Sequence, residues 1–136
     1  MDDAIGRYRQ ASESNDLESL LATLAPDAEL HSPITRRMVI RGGKDLRVLF
    51  GAVYGSLRGL RWSSEVRDGA TTVVLGSGRI GPFRIDDAMV FELAPDGRIQ
   101  RIRPHLRPWL ALTFFALVLA PKVGRHPGVV LRALRG

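Results

Sequence analysis

The chain has 136 residues, 45% of them hydrophobic and 25% charged, which suits one domain with a core of its own. It contains no cysteine, so disulfides, thiolate metal sites and cysteine nucleophiles are excluded. The net charge of +6 is uneven: residues 1–97 hold 12 basic and 14 acidic side chains, whereas residues 98–136 hold 8 basic and none acidic.

Residues 3–14 read as a first helix with Ile5, Tyr8 and Ala11 on one stripe. Asn15, with Glu18 three residues on, predicts a capping-box start to a second helix carrying Leu17, Leu20, Leu21 and Leu24, which Pro26 ends. Residues 28–32 read as a short strand closed by Pro33, and residues 34–41 as a loop with some extended character. Gly42-Gly43 opens a third helix over 44–57, with Leu46, Leu49, Phe50, Val53 and Leu57 at core spacing.

Beyond that helix the period changes from 3.6 to 2. Residues 60–66 alternate with Leu60, Trp62 and Val66 inward, Asp68-Gly69 turns the chain, and 71–80 forms the next strand. After a further turn, the run 83–93 puts Phe83, Ile85, Asp87, Met89, Phe91 and Leu93 on one face. Pro95-Asp96-Gly97 then leads to a last strand over 98–103. The expected architecture is α+β: three N-terminal helices packed on one face of a curved antiparallel sheet of four late strands.

Asp87 is the informative residue. An unpaired carboxylate on an apolar face costs several kcal/mol or takes up a proton, so it marks the floor of a candidate pocket. Arg84 or Arg101 could pair with it in a purely structural network. His31, beside the first strand's end, is a candidate acid–base group because histidine titrates near neutral pH. Arg103 and His105 follow the last strand and are candidate ligand-binding residues; Arg103 could hold an anionic substrate group, or be simply a solvated arginine. Trp62, Phe83, Met89 and Phe91 are core or pocket wall.

The histidines His31, His105 and His126 lack paired ligand spacing, so no metal site is expected. The Gly76, Gly78 and Gly81 string falls between strands, without the helix that a dinucleotide fingerprint needs. No cofactor and no nucleic-acid partner are expected. The acidic start, Met1-Asp2-Asp3-Ala4, lacks a secretory pattern, which points to a cytoplasmic location.

Residues 108–120 form an apolar helix opened by Pro108 and stopped by Pro121. Thirteen such residues rise only about 20 Å, too short to span a bilayer. An all-round apolar helix must be covered, as a lid on the pocket or in a homodimer. A second helix over 127–135 has Val130, Leu131 and Leu134 on one side and Arg132 and Arg135 towards the other. Attachment of this basic tail to a membrane surface is the alternative use.

Taken together, Tyr8, Asn15-Asp16-Leu17, the stretch Leu24 to Pro33, Gly42-Gly43 and the run from Asp87 to Ile99 resemble the nuclear transport factor 2-like superfamily, including its SnoaL-like and ketosteroid isomerase-like members. The resemblance covers residues 3–105, so the chain divides into a domain at 1–105 and a helical extension at 106–136. It implies an α+β cone that receives a small, mainly apolar molecule, and a homodimer. By the pattern of ketosteroid isomerase, itself the known case of a carboxylic acid kept neutral by an apolar site, Tyr8 and a protonated Asp87 would form an oxyanion hole. Ser32 stands where the base belongs, and a hydroxyl without its own base cannot remove a carbon-bound proton. His31 or His105 would have to move it. Proton-transfer catalysis (isomerisation, dehydration or cyclisation) and a non-catalytic carrier or partner-binding module both remain open.

Overall fold

In the computed structural model, which describes residues 3–135, the chain runs α1 (Ala4–Glu13), α2 (Leu17–Leu21), β1 (Leu24–His31), β2 (Val39–Arg41), α3 (Gly43–Ser56) and β3 (Arg58–Asp68). It continues through β4 (Thr71–Ile80), β5 (Phe83–Leu93), β6 (Ile99–Arg103), β7 (Leu106–Arg107), α4 (Trp109–Gly124) and α5 (Pro127–Arg135). Met1 and Asp2 of the acidic start lie outside the described residues. The strands form one curved, unclosed sheet in the order β2-β1-β6-β5-β4-β3, with β7 paired to β5. This is the expected α+β cone with its helical tail.

The local departures have identifiable causes. Asp16, not Asn15, caps α2: its side chain accepts the Ser19 N–H, while Asn15 takes the left-handed conformation at φ 54° that closes the preceding turn. The second helix stops at Leu21, where the Thr23 hydroxyl donates to the Leu20 carbonyl. Pro26 therefore belongs to β1, in the stretch where the β1–β6 register shifts and no ladder donor is required. β1 and β6 pair in parallel, against the all-antiparallel expectation, because α3 and four strands separate them in sequence and allow the crossover. Pro121 does not stop the tail helix, which continues to Gly124. The carbonyl it crowds is that of Leu117, on the exposed side, where water can take the lost hydrogen bond.

The inner sheet face and α1–α3 enclose the main core, in which Tyr8, Phe50 and Phe91 are almost wholly buried. α1 is fastened to β3 through the Trp62 ring, whose Nε1 donates to Ser12 Oγ at 2.8 Å, and through the Trp62 backbone N–H, which donates to Glu13. A second core sits beneath α4, where Ala111, Phe115 and Leu119 recur every four residues and pack on Ile80 and Ile85. α5 is tied to α3 by a two-point ion pair, Arg132 Nη2 and Nε each donating to Asp45 at 2.8 Å. The described part of the extension, residues 106–135, thus packs directly on the body.

Candidate functional site

Between the sheet, α3 and α4 lies a cavity of about 420 Å³. Its walls come from β1, α3, β3 and β5 (Leu30, Leu49, Tyr54, Trp62, Met89), and α4 and α5 roof it through Phe115, Leu119, Val123 and Val130. The size and apolar lining are those of a site for a small organic molecule. Val129 and Ala133 anchor α5 in the protein, so the roof is part of the packed structure.

Two ionisable side chains reach the wall of this cavity: Tyr54 from α3 and Asp87 from β5. The period-2 alternation of β5 turns Asp87 inward, opposite Gly76 of β4, with Ile85 and Met89 beside it. Its Oδ1 accepts the backbone N–H of His105 at 3.2 Å. Neither Arg84 nor Arg101 pairs with it: Arg84 lies beside Asp86, and Arg101 donates to Glu29 and Glu92. Desolvation by its surroundings raises the Asp87 carboxyl to about 7, against the lowering effect of the His105 N–H. Asp87 keeps some accessible surface because it also borders a shallow outer depression shared with Arg84, His105 and Arg107.

Tyr8 occupies the core behind this wall. Its ring meets Phe91 edge-on at 5.0 Å between centroids, and its hydroxyl lies 2.5 Å from that of Tyr54. Burial raises the pKa of both phenols, and repulsion from Asp87 raises them further, so both stay protonated. Of the two, Tyr54 lines the cavity and Tyr8 lies behind it.

The remaining candidates separate cleanly. Trp62 and Met89 line the cavity. Phe91 lies in the core under Tyr8, and Phe83 packs on Phe114 of α4 at 5.1 Å, so neither forms cavity wall. His31 is on the outer sheet face, its Nε2 3.3 Å from Glu29, because residues 29 and 31 share the face opposite Leu30. Arg103 is on that same outer face, donating to Glu92 at 2.7 Å. His105 presents its backbone to Asp87 while its exposed ring lies 3.2 Å from the Ala88 carbonyl. Ser32 reaches the cavity rim, and its hydroxyl accepts the N–H groups of Ile34 and Thr35, which shapes the β1–β2 loop. No cluster of three metal-ligating side chains occurs among the described residues.

Comparison with solved structures places the fold. The chain resembles a bacterial protein of cystatin-like fold from Silicibacter pomeroyi, with a TM-score of 0.87 at 17% identity, covering 98% of this chain and 93% of that one. A steroid delta-isomerase from Pseudomonas aeruginosa follows with a TM-score of 0.77 at 21% identity, covering 96% and 93%. A nuclear transport factor 2-like protein from Burkholderia xenovorans matches at 0.68 and 17% identity, over 76% and 79%. No family model and no curated protein sequence matches the chain. The fold is the nuclear transport factor 2-like fold, and the first two likenesses extend into the tail helices.

Proposed function

We propose that the protein binds a small, predominantly apolar molecule carrying one oxygen function, with protonated Asp87 donating to that oxygen and the Tyr54 hydroxyl beside it. The observation that carries this reading is a lone carboxyl, raised to about 7, on the wall of an otherwise apolar cavity. At pH 7 about half of such a group is in the neutral form, which can donate a hydrogen bond at low desolvation cost. The test is equilibrium binding of a cyclic ketone and of the hydrocarbon of the same shape. The ketone should bind about tenfold more tightly, a preference Asp87→Leu abolishes and Asp87→Asn largely keeps. Equal affinity for both compounds in the unaltered protein defeats the reading.

A second reading, proton-transfer catalysis, is favoured by the same value near 7, which matches a group that gives and takes protons at neutral pH. In that case ionised Asp87 removes a proton from the carbon next to a carbonyl and returns it to another carbon, while Tyr54 donates to the developing enolate oxygen. The steroid delta-isomerase among the structural likenesses makes an enone isomerisation the first assay to run. Turnover lost in Asp87→Asn supports catalysis; binding without turnover on any enone leaves a carrier.

A further inference from the structure

We propose that the outward faces of α4 and α5 form a platform that docks the protein on an anionic lipid bilayer. The inner residues of both helices roof the cavity, so their opposite sides face away from the body. On α4 that side carries Trp109, Leu110 and Leu117, exposed by 72%, 52% and 68%. On α5 it carries Leu131 and Leu134, both more than half exposed, with Arg135 next to them. The β1–β2 loop, which borders the same cavity, adds exposed Ile34 with Arg36 and Arg37. Large apolar side chains gathered in this way are uncommon on the free surface of a monomer.

Charge decides the occupant. Five of the basic side chains in residues 98–136 pair with acidic side chains of the body (Arg98, Arg101, Arg103, Arg107 and Arg132), but Arg125 and Arg135 lie exposed at the helix ends, as Arg36 and Arg37 do in the loop, and residues 98–136 contain no acidic side chain. A symmetric contact with a second copy through this face would bring the same cationic rim against itself, which is repulsive. An anionic leaflet meets both features: its headgroups take the arginines and its acyl boundary takes the apolar side chains. No single helix among the described residues is long and apolar enough to cross a membrane; α4 and α5 meet that test only as a pair bent by 111°, and since their inner residues are packed on the body, the contact proposed is with their outer sides alone. The proposal uses the outer surface alone and is independent of what fills the cavity.

Sedimentation with vesicles of phosphatidylcholine containing about a third phosphatidylglycerol, against phosphatidylcholine alone, tests it. The unaltered protein should pellet with the anionic vesicles and be released by salt. Trp109 should become shielded from aqueous quenchers, whereas Trp62, already buried, should not change. Reversing Arg125 and Arg135 to Glu, or replacing Trp109 and Leu117 by Ser, should each lower the partition about tenfold or more. All four side chains are exposed, and unchanged thermal unfolding of the variants verifies that they fold. Failure to pellet, equal pelleting of the variants, or a dimer in solution that shields Trp109 without lipid each overturns the proposal.

Discussion

The hydroxyls of Tyr8 and Tyr54 lie 2.5 Å apart in a buried pair whose second member touches the cavity. One of them donates to the other, and if Tyr8 is the donor the Tyr54 proton is left for a ligand oxygen. Tyr54→Phe should therefore weaken ketone binding about tenfold and also destabilise the protein by about 1–3 kcal/mol, since it leaves the Tyr8 hydroxyl buried without a partner. Tyr8→Phe should destabilise by a similar amount but change affinity no more than about threefold. Calorimetry and urea unfolding on both variants check this. Ser32→Ala, which alters only the loop, should leave affinity within about twofold.

Asp87 couples stability to pH. Its folded-state pKa of about 7 lies above the ordinary 3.8, so the folded protein holds a proton that the unfolded chain has released between those values. Its own contribution to stability is full below pH about 4, falls as pH rises towards 7, and levels off above it. Asp87→Asn removes this contribution: it should stabilise the protein by up to about 4 kcal/mol at pH 8 and by almost nothing at pH 4. Urea unfolding at the two pH values reads the difference. Equal gains at both would show that Asp87 is not the group responsible.

Two glycines hold large rings in place. A Cβ on Gly76 would fall 2.5 Å from the Trp62 ring, which its bond to Ser12 fixes, and one on Gly81 would fall 2.6 Å from Phe114 at a φ of +56°. Gly76→Ala should cost about 1–3 kcal/mol and disturb the wall opposite Asp87; Gly81→Ala should loosen α4. Gly55→Ala, in α3 with nothing within 4 Å, should instead stabilise by about 0.5–1 kcal/mol. Chemical denaturation midpoints of the three variants provide the comparison.

The Arg132 guanidinium holds the Asp45 carboxyl below its usual range and fastens α5 to α3. Because Arg132 is itself half exposed, its loss in Arg132→Ala should cost only about 1 kcal/mol globally. The local effect should be larger. Amide exchange across α5 should accelerate while α1 and β4 keep their protection.

The sheet and the inward turn of Asp87 were legible because β5 alternates without interruption from Phe83 to Leu93, and period 2 leaves no choice of face. Tyr54 was not singled out, although it stands four residues after Phe50 and eight after Leu46. Val53 and Leu57 already complete an apolar stripe on α3, so a tyrosine beside them carries no separate signal. Its partner lies 46 residues away, and that of Asp45 lies 87 away. Contacts at such separations follow from how the elements pack, which no local pattern encodes. His31 and Arg103 were drawn into the candidate site by position along the chain; their strands turn them to the other face of the sheet.

Asp87 borders the cavity on one side of the sheet and the outer depression with His105 and Arg107 on the other. On the proposed binding reading, a proton can then reach the carboxyl from the outer depression, across a single strand, without passing the guest. Such a guest would not freeze the protonation state it met on entry, and a change in external pH would loosen or tighten it without the roof having to lift.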